Sequence, residues 1–190
     1  GPIVGSTTFM LSGRRGYPDL LPLPPGGDEK PSTLNSSELI AKLSHRLSGS
    51  DRLSLSGYFG RDAYSNNVDG PNMHLDNRFS WGNACANLQW TSIASPSLFL
   101  QASAGYTSYD FDIEHLLADS HVPSQPSRLV SNYRVQDADL RANAEHFYDD
   151  EHTVRGGVEL IHHRVDADID QFSSQMGRFS LQSSSAWELS

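Results

Sequence analysis

Apolar and polar residues alternate one by one along most of this chain. From Arg52 to Asp62, R-L-S-L-S-G-Y-F-G-R-D, Leu53 and Leu55 point one way while Ser54 and Ser56 point the other. Successive side chains of a β-strand face opposite sides, so the pattern predicts a strand with one apolar and one polar face. The same period recurs along the chain. Thr7–Arg15 sets Phe9, Leu11 and Gly13 against Met10, Ser12 and Arg14. Ser36–Ser48 sets Leu39, Ala41, Leu43 and Leu47 against Lys42, Ser44 and Arg46, with His45 on the apolar side. Phe79–Ser92 sets Ala84, Ala86, Leu88 and Trp90 against Asn83, Cys85, Asn87 and Gln89. Leu98–Asp112 carries Leu98, Leu100, Ala102, Ala104 and Tyr106 on its apolar face. In Tyr133–Tyr148, Asp137, Asp139, Arg141, Asn143 and Glu145 alternate with Ala138, Leu140, Ala142 and Ala144. Val154, Gly156, Val158 and Leu160 line the next strand, and Phe179–Leu189 opens the last.

The predicted connections alternate in length. Short turns fall at Ser48–Asp51, Ala94–Pro96 and Asp149–His152, the first making a hairpin of the strands beside it. Long loops are expected at Gly16 to about Asn35, Ser65–Asp76, Glu114–Leu129 and Asp166–Gly177, where Pro, Gly, Asn and Asp gather. The fold expected is all-β: an antiparallel up-and-down meander of about eight strands of ~10–16 residues, forming an open portion of a large transmembrane β-barrel. Strands this long, with long loops on one side only, fit an outer-membrane barrel better than a soluble sandwich or a lipocalin-type barrel. Two aromatic groups also match the interfacial girdles of such a barrel. Trp90, Phe147 and Tyr148 lie near short turns, and Tyr64, Phe79, Trp81, Tyr109, Phe111 and Tyr133 near long loops.

Composition narrows the function classes. The chain has 190 residues, 37% of them hydrophobic, and a net charge of −9, which disfavours nucleic acid as a partner. No apolar run approaches the ~18 residues of a transmembrane helix, but a membrane β-barrel needs none. A chain that opens on Gly1 and stops at Ser190 within a strand reads as a segment cut from a larger protein. The single cysteine, Cys85, excludes an internal disulfide and falls on the polar side of its strand.

Candidate chemistry is sparse. His162 and His163 are adjacent, so a strand sends them to opposite faces and they cannot chelate one metal together. His74, His115 and His121 fall in predicted loops. Asp110 and Asp112 share a face, as do Asp137 and Asp139, and paired carboxylates can do acid–base work. Arg141 continues the second pair's row, so a charged wall accounts for it better. No G-x-S-x-G, P-loop or H-E-x-x-H motif is present. The sequence therefore predicts no catalytic residue, no cofactor and no metal site.

A series of collinear words resembles the barrel of a TonB-dependent outer-membrane receptor. They are F-M-L-S-G-R-R (Phe9–Arg15), A-K-L-S-H-R-L (Ala41–Leu47), L-S-L-S-G-Y-F-G-R-D (Leu53–Asp62), F-S-W-G-N (Phe79–Asn83), A-N-L-Q-W (Ala86–Trp90) and Y-T-S-Y-D-F-D (Tyr106–Asp112). Gly1-Pro2-Ile3 is similar to the short run that precedes such a strand. The likeness is to Bacteroidetes-type receptors with a carboxypeptidase-like regulatory domain before the plug, and it weakens beyond Asp112. It implies a segment of a ~22-stranded barrel in the outer membrane of a Gram-negative bacterium. It also implies a plug domain and a TonB-contacting segment, both lying outside this chain, and uptake of a scarce nutrient such as a siderophore, vitamin or glycan. The partners implied are outer-membrane lipid, the plug, the TonB complex and the nutrient. On that reading Lys42, Arg46, Asn83, Gln89, Asp137, Asp139, Arg141, Asn143 and Glu145 face the lumen. The alternatives are a small eight-stranded membrane barrel for anchoring or adhesion, and a soluble sandwich or lipocalin-like binder.

Overall fold

The computed structural model describes residues 2–4, 6–16, 32–119, 127–149, 151–172 and 183–190. They form one antiparallel sheet whose strands follow chain order: β1 Pro2–Val4, β2 Thr7–Gly16, β3 Thr33–Arg46, β4 Asp51–Asp69, β5 Met73–Ser95, β6 Leu98–Asp119, β7 Ser127–Phe147, β8 Thr153–Phe172 and β9 Ser184–Leu189. The sheet is an open meander. Each strand pairs with its neighbours in sequence, and β1 and β9 end it without meeting each other.

The strands are longer than the alternation predicts, because much of what reads as loop is strand. The expected loop at Ser65–Asp76 is instead the top of a hairpin, with Asn66 opposite Asn77 and Asp69 opposite His74, closed by residues 70–72. The loop expected from Glu114 is strand as far as Asp119 and again from Ser127. The one expected from Asp166 is strand as far as Phe172, and Thr33–Asn35 belong to β3. The rest of those loops, with His121, Phe179 and Leu181, lies outside the described residues. Asn, Asp, His and Ser are poor strand formers alone, but here they bond across the ladder. Thr33 and Ser65 join hydroxyls at 2.6 Å, Ser32 donates to Asn66 Oδ1 at 3.3 Å, and His74 and His115 bond Asp69 and Asn77. At 23 residues, β5 reaches ~75 Å at ~3.3 Å per residue.

Three short turns set the other edge. At the first, Leu47 N–H donates to the Asp51 carbonyl at 3.0 Å and the Ser48 hydroxyl donates to the Asp51 carboxylate at 2.6 Å. At the last, Asp149 Oδ1 accepts the backbone N–H of His152 at 2.7 Å and of Glu151 at 3.0 Å. The His152 ring and these N–H groups hold the Asp149 carboxyl below the usual carboxylate range, with the ring the largest cause.

Register divides the side chains between two faces. Phe9, Leu43, Leu55, Leu88, Ala104, Leu140, Leu160 and Leu189 form one continuous row across β2–β9; this is the leucine face. Ser44, Ser54, Gln89, Ser103, Arg141 and Glu159 form a row of the other, the serine face. Among the described residues no apolar side chain is buried, and Leu11, Leu140 and Val158 stay 66%, 59% and 62% exposed. A soluble domain packs a second layer on such a face; this single layer leaves it bare.

Candidate functional site: the two faces of the sheet

On the leucine face, apolar residues form a belt along the half of each strand nearest the short turns. It covers Leu39–Leu43, Leu53–Phe59, Ala84–Trp90, Leu98–Tyr106, Ala138–Ala144 and Val154–Leu160, at every second residue. These spans of five to nine residues, most of them seven, are ~16–30 Å of strand, about 23 Å for the seven-residue ones. The belt stops at a row of different character: Ser37, Arg61, Gly82, Asp110, Arg134 and Asp166. Around and beyond that row the leucine face is charged. Arg78 lies 2.8 Å from Asp76 and 3.5 Å from Glu114, Arg128 lies 2.9 Å from Glu114, Arg134 pairs with Asp110, and Arg164 lies 2.9 Å from Asp166.

The belt does not run square to the strands. Its centre on β3 is Ala41, whose row leads through Gly57, Ala86, Tyr106 and Ala138 to His162. Its centre on β8 is near Val158, four residues closer to the turns. Four residues are ~13 Å, and five gaps between strands are ~24 Å. The belt is thus inclined by ~30° to the line across the strands, near the ~35–45° by which barrel strands tilt from their axis.

The serine face inverts this order. Near the turns it is polar; beyond, it is aromatic. All nine candidates, Lys42, Arg46, Asn83, Gln89, Asp137, Asp139, Arg141, Asn143 and Glu145, fall on this one face. Cys85 is there too, exposed, between Tyr58 and Thr107 in the ladder. A trough of about 620 Å³ crosses the face, lined from Met10 on β2 to Asn143 on β7. Its β7–β8 side is a lattice of ion pairs. Arg141 Nε donates to Glu159 at 2.7 Å and lies 3.3 Å from Asp139; Arg155 reaches Glu145 at 2.7 Å; His163 Nδ1 lies 2.7 Å from Asp137. Asp139 and Arg141 were among the lumen-facing candidates, whereas Glu159 and His163 were not; only the register places these two beside Arg141 and Asp137.

Farther from the turns, the same face carries Tyr64, Phe79, Trp81, Tyr109, Phe111 and Tyr133. Tyr64 and Phe79 hold their ring centroids 6.2 Å apart, and Phe111 and Tyr133 6.3 Å. This corrects the girdle reading for that group: a girdle faces outward with the apolar belt, whereas these rings lie on the opposite face. Phe147, at the other end, also falls in the serine-face register, whereas Trp90 keeps to the belt. Nearness to a strand end was legible in the sequence; the face was not, because apolar and polar positions exchange registers partway along each strand.

His162 and His163 fall on opposite faces, His162 against Trp187 with ring centroids 4.4 Å apart. His74 and His115, expected in loops, are strand residues. No group of three or more His, Cys, Asp or Glu among the described residues is placed to hold a metal ion. Asp110 and Asp112 share the leucine face, engaged by Arg134 and by the Ser80 hydroxyl at 3.1 Å.

Comparison with family models, with curated proteins and with solved structures gave no match to this chain.

Proposed function

We propose that this chain is a section of the wall of a large outer-membrane β-barrel, of the TonB-dependent receptor kind, that takes up a scarce nutrient through a plugged lumen. The observation that carries the reading is the bare apolar belt. It is confined to one face of a single-layer meander, about as tall as the ~25 Å apolar band of a membrane barrel, bordered by charge, and inclined as barrel strands tilt. Lipid covers the belt. The charged rows beyond it stand in water outside the bilayer. The serine face lines the lumen, polar within the membrane and aromatic above it, where an entering nutrient meets it first.

The open order of the sheet favours a section of a large barrel over a closed eight-stranded one, since β1 and β9 lie at opposite edges. The resemblance of Phe9–Arg15, Ala41–Leu47 and Leu53–Asp62 to receptor barrels supplies the transport role.

The test takes the full-length protein in its native membrane with Cys85 replaced by serine. A bimane fluorophore is attached to single cysteines at Leu88, Gln89, Leu140 and Arg141, and brominated lipid tails serve as quencher. Quenching at Leu88 and Leu140 but not at Gln89 and Arg141 is expected. Equal quenching at neighbouring positions, or a protein recovered without membrane, refutes the barrel.

A further inference from the structure

The outer half of the serine face gathers rings and excludes arginine. Trp81, Phe111 and Tyr133 stand side by side in one ladder row across β5, β6 and β7. Strands lie ~4.8 Å apart, so the three cover ~10 Å. Beyond the row Gly60–Asn83–Tyr109–Val135 this face carries no Lys or Arg among the described residues. Arg61, Arg78, Arg128 and Arg134 rise from the same strands, and all four face the other way. Two polar groups flank the central ring. Asp62 sits directly opposite Trp81 on β4, and Asn83 follows Trp81 on the same face of β5, opposite Tyr109. Other amides of this face are engaged: Asn77 bonds His115, and Asn66 accepts from Ser32 at 3.3 Å. By contrast, the Asp62 carboxylate and the Asn83 carboxamide make no side-chain hydrogen bond or ion pair among the described residues. Trp81 packs on no other ring there.

We infer that Trp81, Asp62 and Asn83 form the centre of a binding site for an uncharged oligosaccharide. The inference deepens the reading of this face as the lumen wall and rests on it. A sugar ring has an apolar C–H face that packs on an aromatic plane, and a rim of hydroxyls that donate and accept. Trp81 supplies the plane, Asp62 accepts, and Asn83 does both. Phe111 and Tyr133 extend the plane along a linear chain of sugars. Other ligand classes fit worse. An anion would meet Asp62 with no cation to offset it, in a chain of net charge −9. An apolar ligand would cover Asp62 and Asn83 and leave both without partners, which costs affinity. A cation would pair with Asp62 and leave the Asn83 carboxamide unused.

The experiment uses the full-length protein in lipid nanodiscs, with Cys85 replaced by serine and bimane on a cysteine at Leu88 to report lipid contact. It is titrated with neutral oligosaccharides of glucose, mannose, xylose and galactose, and with oligogalacturonate, ferric citrate and choline. At least one neutral series is expected to bind. Its affinity falls about tenfold in Trp81→Ala and several-fold in Asp62→Asn and in Asn83→Ala, and stays unchanged in Trp90→Phe on the opposite face. If Trp81→Ala fails to assemble, the other two variants decide. Binding of the charged probes alone, no binding of any neutral series, or a neutral affinity that none of the three variants lowers overturns the sugar site. Quenching of the Leu88 bimane by brominated lipid then leaves the wall in place. Sugar binding that depends on Trp81 without that quenching refutes the wall alone.

Discussion

Leu140 offers the sharpest test of the belt. It lies in the row Phe9–Leu43–Leu55–Leu88–Ala104–Leu140–Leu160–Leu189, is flanked along its strand by Ala138 and Ala142, and is 59% exposed in the isolated sheet. On a water-facing surface, replacing so exposed a leucine by arginine changes stability by no more than ~0.5 kcal/mol. Facing lipid near the midplane, arginine costs ~2–4 kcal/mol, which is ~30- to 700-fold in the folded fraction. The cost fades to ~0–1 kcal/mol near the interface. Val154 supplies that comparison, because it ends the belt on β8 beside the turn. Full-length L140R and V154R, each refolded from urea into vesicles of short-chain lipid, are compared with the parent at equilibrium. L140R is expected to lose several-fold more stability than V154R. If both lose the same, or if L140R stays within ~0.5 kcal/mol of the parent, the leucine face does not meet lipid.

Two further expectations come from close contacts and from turn chemistry. A Cβ at Gly157 would strike the Asn143 carboxamide and come within 2.9 Å of the Ala142 carbonyl, which is backbone, whereas one at Gly156 meets nothing within 4 Å. Gly157→Ala is expected to cost ~1–3 kcal/mol and Gly156→Ala to be near neutral, read as urea midpoints. Asp149 titrates below an ordinary carboxyl because His152 and two N–H groups favour its charged form. A depressed pKa gives stability that is present above the unfolded value of ~4 and lost as pH falls through the folded value. Urea midpoints between pH 2 and 6 are therefore expected to fall more steeply for the parent than for Asp149→Asn, and parallel curves would contradict the turn's role.

The alternation told most where it was cleanest. Asp137–Glu145 against Ala138–Ala144 located a strand and both its faces, and the short turns at Ser48–Asp51 and Asp149–His152 followed from their Ser, Gly and Asp content. The tall ends of the hairpins were hidden. Asn66–Asp69 and Asp76–Arg78 look like loop because their strand propensity is poor, and only pairing with one another makes them strand. The exchange of registers was hidden for a related reason. Period two says that neighbours differ in side, but it does not say which side meets what. Tyr58 to Tyr64 illustrates this: Tyr58 and Gly60 share the serine face, and the Tyr58 ring, with its Cζ 2.9 Å from where a Gly60 Cβ would stand, covers the gap left by the glycine. Two residues on, the same register carries Asp62 and then Tyr64. Of the serine-face cations Lys42, Arg46 and Arg52, two were named from β3 alone and the third needed the hairpin partner, whose register sets Arg52 opposite Arg46.

The charged rows above the belt have a consequence for how such a wall is built. If the leucine face meets lipid as proposed, a wall assembled from the periplasmic side sends Asp76, Arg78, Asp110, Asp112, Glu114, Arg128 and Arg134 across the bilayer before β5–β7 can rest at their final depth. At ~2–4 kcal/mol for each charge met by hydrocarbon, the toll is on the order of 20 kcal/mol, lessened where Arg and Asp travel as pairs. A barrier of that size permits a crossing about once a minute, so on this reading a catalyst that opens the membrane would speed the wall's assembly without being indispensable to it. On the same reading these groups, once through, act as a latch, because withdrawal toward the periplasm would meet the same barrier again.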